Sequence, residues 1–419
     1  MHRLQKLFSR KGSGIYSVCS AHPWVIEASV EQALEDGSLL LVEATCNQVN
    51  QFGGYTGMTP ADFRKFVTDV ATKSGLAEER LILGGDHLGP NPWKSLPAEE
   101  AMKNAEAMVK AYVKAGFTKI HLDASMSCAD DPTPLPPDVI AHRAIRLAKV
   151  AEAAREGGEA PVYIVGTEVP TPGGATHSLD VLVPTHASDA EHTWQIHREL
   201  FDTSENGDLW SRVLGLVVQP GVEFGHDGVV EYDRAKAAEL VASLQKPGGP
   251  TVFEAHSTDY QLPQAFVALV EDDFGILKVG PALTFALREA LFELEEIEQL
   301  LVPAGSCSHL RETLEQVMLD EPADWKSHYH GTPEEQKLLR AYSYSDRIRY
   351  YWNRPAAERS VSLLVQNLEA RVIPETLISQ YLPLQYAKLR AGAIDSHPVA
   401  LIRDHIREVL RQYARACRE

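Results

Sequence analysis

No two cysteines in this chain are spaced for a zinc ribbon or a small disulfide framework. The five thiols, Cys19, Cys46, Cys128, Cys307 and Cys417, are odd in number and scattered, which reads as unpaired thiols in a reducing compartment. No run approaches the roughly 18 apolar residues that a membrane helix needs. Positive charge is scarce: 40 Lys+Arg against 58 Asp+Glu leave a formal net charge of -18. That argues against nucleic acid and anionic membrane as partners, because both need a basic footprint. Neither a GxGxxG nor a GxxxxGK(S/T) phosphate loop occurs, nor a kinase motif set, which counts against nucleotide-dependent phosphoryl transfer. The first eleven residues are basic and mildly amphipathic but lack the apolar stretch of a signal peptide, so a cytoplasmic location is expected.

What the chain does have is a set of apolar runs that end in reactive side chains. The run Ile82-Leu83-Gly84-Gly85-Asp86-His87-Leu88-Gly89-Pro90 ends in an acid and an imidazole. A buried parallel strand delivers groups to its C-terminal rim in this way. Leu214–Gln219 leads through a glycine-rich loop to His226, and Val252-Phe253-Glu254-Ala255 leads to His256. The expectation is that His87, His226 and His256 meet over one metal ion, since three protein ligands with an open position suit catalytic Zn²⁺, with Mn²⁺ as the alternative. Asp86 would stand beside the metal and shuttle a proton. Asp123 and Glu168 would do the same from other strands, or would orient the imidazoles. Glu43, Asn50, Gln51, Ser125, Glu254 and Asp259 are the further polar groups expected at the substrate. His121 falls inside a strand pattern and reads as structural, as do His142, His177, His186, His192 and His197.

Eight strand-like segments alternate with helical ones: 14–20, 39–46, 80–86, 119–125, 161–168, 213–221, 251–257 and 276–281. This predicts a (β/α)8 TIM barrel over 1–300. A doubly wound sheet would need the phosphate loop that is missing. Beyond residue 300 the pattern becomes helical, so 301–419 is expected to form a helical C-terminal extension packed on the barrel or on a neighbouring subunit. The aromatic cluster ending at Trp352 reads as packing.

The stretches GGDHLGPNPW (from Gly84), KIHLDASMSCADDPTPLPP (from Lys119), FEAHSTDYQ (from Phe253) and SYSDRIRYYW (from Ser343), with SQYLPLQY at Ser379–Tyr386, resemble the Z-type subunit family of tagatose-1,6-bisphosphate aldolase. That family has also carried the label tagatose-6-phosphate kinase. The resemblance runs over essentially the whole chain. It implies a class II aldolase-like protein, in a group described as non-catalytic partners of a catalytic subunit. In class II aldolases generally, an Asp-His pair after strand three supplies a proton-shuttling acid and a zinc ligand, and two later histidines complete the set. Asp86 and His87 match the pair, His226 the middle ligand and His256 the last.

Two departures accompany the resemblance. Ser257-Thr258-Asp259-Tyr260 stands where those aldolases carry a phosphate-gripping loop, and Asp259 would repel a phosphate. Gly280, in Lys278-Val279-Gly280, stands where they have an asparagine. The expected function is therefore a zinc-dependent carbohydrate enzyme acting on a ketohexose or its phosphate. Its sharpest form is C4 epimerisation of the fructose/tagatose type, by retro-aldol and aldol steps or by proton transfer. The competing expectation is a non-catalytic subunit that stabilises an aldolase partner. A homo-oligomer is expected in either case.

Overall fold

The computed structural model describes residues 1–166, 182–244 and 246–417. Eight parallel strands close into a barrel: β1 Ile15–Val18, β2 Leu40–Thr45, β3 Leu81–Leu88, β4 Lys119–Leu122, β5 Val162–Val165, β6 Val213–Val218, β9 Val252–Ala255 and β10 Ile276–Val279. Closure comes from β1, which pairs with β2 on one side and β10 on the other. The expected barrel is thus present. A short antiparallel ribbon, β7 Glu223–Phe224 with β8 Val229–Val230, fills the stretch read as a plain loop after β6. The third strand continues two residues beyond its expected end at Asp86 and so carries His87 within it.

Alternation along each strand divides the lumen into two layers. Near the N-terminal end the inward positions are apolar: Ile15, Leu41, Ile82, Ile164, Leu214, Val252 and Ile276 form one buried cluster. The short helix Arg3–Leu7 plugs this end by adding Leu4 and Phe8 to the cluster. His2 caps that helix, its Nδ1 accepting the Leu4 amide at 3.1 Å. Two residues further along the strands, the inward positions turn polar: Ser17, Glu43, Glu254 and Lys278.

The helices after the barrel do not form a separate body. Pro398–Cys417 packs on Pro281–Leu301, Pro23–Asp36 and Pro263–Glu271, and one apolar core runs from the barrel wall through Leu401, Ile406 and Leu410. No described helix is long and apolar enough to cross a membrane.

His197 lies in the helix Ala187–Phe201, fully buried, and donates from Nδ1 to the Thr193 carbonyl at 2.8 Å. Burial pushes its pKa from 6.5 to about 4. Below its ordinary value the unfolded chain binds a proton that the folded chain refuses, so this stability is present above 6.5 and lost as pH falls toward 4. Urea unfolding at about pH 7.5 and about pH 5 should show a loss of about 1–2 kcal/mol attributable to this ring. His197→Leu should flatten the dependence by that amount; an unchanged slope in the variant refutes the assignment.

Candidate active site

The polar layer is a network of buried ions. Lys119 of β4 lies 2.9 Å from Glu43 of β2 and 2.5 Å from Glu254 of β9, all fully buried. Lys278 of β10 lies 2.9 Å from Glu43, 3.0 Å from Asp86 and 3.9 Å from Glu254. Ser17 donates to Glu43 at 2.7 Å. The paired glycines of β3 make room for this. A Cβ on Gly84 would sit 2.6 Å from the Glu43 side chain, and one on Gly85 would sit 2.5 Å from Leu88.

Three imidazoles stand on this layer. The ring centroids of His87, His121 and His256 are 4.9–5.3 Å apart. His87 holds Asp123 at 2.8 Å through Nδ1, and Asp123 in turn accepts the Ser125 amide and hydroxyl at 3.0 and 2.6 Å. His121 Nδ1 lies 2.9 Å from Asp86, and His256 Nε2 lies 2.9 Å from Glu254. The backbone turns sharply at His87, with φ 51°, and at Ser257, with φ 54°, left-handed conformations uncommon away from functional or strained sites. Gly89 allows the first turn, because a Cβ there would fall 1.5 Å from the Asp123 carbonyl oxygen.

Protonation states follow from these contacts. Burial pushes Asp86 up, but His87, Lys278 and the His121 hydrogen bond outweigh it and hold the carboxyl well below its usual range. Burial likewise opposes ionisation of Glu254, and Lys119 and Lys278 overcome it. His87 is disfavoured as a cation by burial, yet Asp86 and Asp123 raise it. His256 is pushed down to about 4 by burial. Lys278 stays protonated, since its carboxylates outweigh its desolvation.

Several expected residues lie elsewhere or do other work. His226 is not brought to this cluster. Its ribbon turn carries it to the C-terminal extension, where Nδ1 meets the Ser343 hydroxyl at 3.0 Å, its carbonyl accepts the Tyr344 amide at 2.8 Å, and its ring packs on Tyr329. His121, read as structural, takes the third place among the rings. The signal was in the sequence: Lys119, His121 and Asp123 alternate, as inward positions of one strand must. Asn50 braces its own loop, donating to the Cys46 carbonyl and accepting the Phe52 and Gly54 amides. Gln51 donates to the Asn104 carbonyl, and Ser125 supports Asp123. Glu43 and Glu254 are locked inside the ion network. Glu168 and His177 lie outside the described residues.

Above the network opens a cavity of about 690 Å³, large enough for a sugar. Asp86, His87, His256, Asp259 and Lys278 line it from the barrel, and Arg349, Tyr350, Trp352 and Asn353 from the extension. The Trp352 cluster is therefore cavity wall as well as packing. Asp259 accepts the Gly280 and Ala282 amides, both at 2.9 Å, at the start of helix Pro281–Leu301; burial raises its carboxyl to about 6.

The donor set suits a divalent cation. Asp86, His121, Glu254 and His256 each offer an atom within 4.8 Å of the others. His121 Nε2 is buried with no hydrogen-bond partner. Glu43, Asp86, Asp123 and Glu254 are four carboxylates facing two ammonium groups, which leaves two negative charges, or one when His87 is protonated.

The ionic account makes a direct prediction. Lys119→Met removes the cation shared by Glu43 and Glu254 while keeping the stem, and should cost about 3–5 kcal/mol in urea unfolding. A near-neutral result would mean that the pairing carries no weight.

A family model described as D-tagatose-1,6-bisphosphate aldolase subunit GatZ/KbaZ-like matches residues 2–418. A crystal structure titled as a probable tagatose 6 phosphate kinase from Sinorhizobium meliloti 1021 is 52% identical, covers 96% of this chain and 100% of its own, and superposes with a TM-score of 0.89. Two further structures are distant. Fructose-bisphosphate aldolase from Campylobacter jejuni shows 13% identity, 88% and 92% coverage and a TM-score of 0.45. The fructuronate-tagaturonate epimerase UxaE from Cohnella laeviribosi shows 14% identity, 96% and 81% coverage and a TM-score of 0.46.

Proposed function

This chain belongs to the D-tagatose-1,6-bisphosphate aldolase subunit GatZ/KbaZ-like family, and from that membership we propose that it is a metal-dependent carbohydrate enzyme acting on a ketohexose or its phosphate, by epimerisation at C4. The observation that carries the reading is an ionised carboxylate, Asp86, and three clustered imidazoles at the floor of a sugar-sized cavity. Asp86, His121, Glu254 and His256 would hold the cation, Zn²⁺ or Mn²⁺, with His87 beside them oriented by Asp123. Such an ion supplies Lewis-acid stabilisation of the negative charge that develops on the ketose oxygens.

The chain's own groups perform the rest. Asp86, low in pKa and open to the cavity, takes the proton of the C4 hydroxyl. The C3–C4 bond breaks, its electron pair passes to the three-carbon ketose fragment, and C4 becomes an aldehyde carbon. Lys278 remains charged at the cavity lining, and its positive charge offsets the charge that develops on the ketose oxygen. The cavity walls retain both fragments. Rotation of the aldehyde and re-formation of the bond on its other face return the proton to O4 with inverted configuration.

The word "subunit" in the family description favours a second reading, a barrel that stabilises a separate catalytic chain. One set of measurements decides between them. Purified chain loaded with Zn²⁺ or Mn²⁺ should interconvert fructose-type and tagatose-type ketoses or their 6-phosphates. Asp86→Asn should lower kcat by about 10²–10⁴, and His121→Ala should lower bound metal. No turnover with either metal, together with co-elution with an aldolase chain, establishes the subunit reading instead.

A further inference from the structure

The cavity is electrically lopsided. Its floor holds the carboxylates, each tied to a lysine or an imidazole. Lys278 is committed to three of them, and His22 is pushed down to about 4 by burial and stays neutral. Arg349 differs. Its hydrogen bonds go to two carbonyls and a hydroxyl rather than to a carboxylate, although the charges of Asp346 and Asp259 reach it.

Arg349 is nonetheless fixed in place. Nη1 donates to the Ser345 carbonyl and, at 3.0 Å, to that of Asp346, and Nη2 donates to the Tyr350 hydroxyl at 2.9 Å. The guanidinium lies 4.5 Å from the Tyr350 ring centroid, and Tyr350 is wedged edge-on against Tyr55 at 4.7 Å. Asp346, whose carbonyl positions it, sits at φ 44° and is anchored by Thr284 at 2.5 Å. Three residues on, the indole Nε1 of Trp352 is buried without a partner, and Trp352 lines the same cavity. An indole N–H and a guanidinium are donors only. Their complement is a group that only accepts, and a charged one is favoured by the guanidinium's own charge.

We propose that Arg349 and Trp352 form a subsite for a single oxyanion at one end of the sugar, so that the substrate is a ketose bearing one terminal phosphate or carboxylate. A bisphosphate is disfavoured by the same geometry. The amides at the start of helix Pro281–Leu301, where a second anion would bind, are already taken by Asp259. This inference rests on the cavity being a ketose site, but it does not depend on which bond is made or broken there.

Equilibrium binding tests it without turnover. Titration calorimetry on the metal-loaded chain would compare D-fructose, D-fructose 6-phosphate, D-fructose 1,6-bisphosphate and D-fructuronate. The monoanionic-ended ligands should bind about ten- to a hundredfold tighter than fructose and tighter than the bisphosphate. Preference for the 6-phosphate identifies a phosphate as the natural terminus, and preference for fructuronate a carboxylate. Arg349→Met should erase the preference, lowering affinity for the anionic ligands far more than for fructose, and Arg349→Lys should retain part of it. Trp352→Phe, which removes one N–H and keeps the ring, should weaken the anionic ligands several-fold and fructose hardly at all. Equal affinity for neutral and anionic sugars, or an equal loss for all ligands in these variants, overturns the proposal. Those results would leave the epimerase reading to stand or fall on its own assay.

Discussion

Two lysines inside the barrel hold the rest of the site in place. Lys119 and Lys278 rise from β4 and β10 and bridge carboxylates from β2, β3 and β9, so five of the eight strands are tied together across the lumen. Taking that many ions out of water is expensive, and their mutual attraction repays it only when the geometry is exact enough to satisfy every charge. The consequence is positional: a carboxylate that cannot leave its lysine cannot change rotamer either. Geometry of this kind, fixed in advance, is what a preorganised catalytic site would require. The apolar layer beneath, plugged by Leu4 and Phe8, keeps water out of the other end and preserves the low dielectric on which the pairing depends.

The extension completes the site from above. A barrel alone would leave its strand ends open to solvent. Here the turn Arg347–Tyr350 and the residues after it close over the mouth, and the terminal helix Pro398–Cys417 returns to the barrel wall, where Tyr413 joins its hydroxyl to Thr258 beside the cavity at 3.1 Å. The anionic floor and the cationic roof are thus contributed by distant parts of the chain. An extended polar molecule with one charged end would have only one favourable orientation between them.

The barrel was legible because strand character, alternation with helices and polar strand ends all point the same way. Asp86 and His87 were legible because Gly-Gly before and Gly-Pro after mark a strand that must make room for neighbours and then turn. His226 was misplaced for a local reason: a histidine in a glycine-rich loop after a strand looks the same whether the loop folds inward or, as here, forms a ribbon that leans on residues 343–344. His121 was overlooked for the opposite reason. A histidine within an apolar strand reads as a core residue unless its neighbours two positions away are weighed, and Lys119 and Asp123 are both charged. Asn50 and Gln51 looked like cavity residues because they follow β2; Asn47 and Gln48 line the cavity instead. A tight turn reverses side-chain direction within three residues, and no periodicity predicts where it does so.

If the cavity handles a sugar as proposed, access would select the base among the carboxylates of the polar layer. Glu43 and Glu254 are fully buried, and each carboxylate is enclosed by lysines, with Ser17 or His256 at hand. Neither lines the cavity. Asp86 belongs to the same network, yet it lines the cavity, and one of its oxygens lies 3.6 Å from His87 Nε2 and 4.0 Å from the Cys19 thiol. Its other oxygen is held by Lys278 and His121 at 3.0 and 2.9 Å. A carboxylate anchored through one oxygen and only distantly contacted at the other keeps its charge and can still exchange a proton with a bound molecule. Asp259 reaches the same cavity with its carboxyl raised to about 6, so the space between the two is bounded by one acid that favours the ionised form and one that gives it up more readily. That difference in environment, more than the number of acids, is what would let a single cavity both remove a proton and return one under the proposed reading.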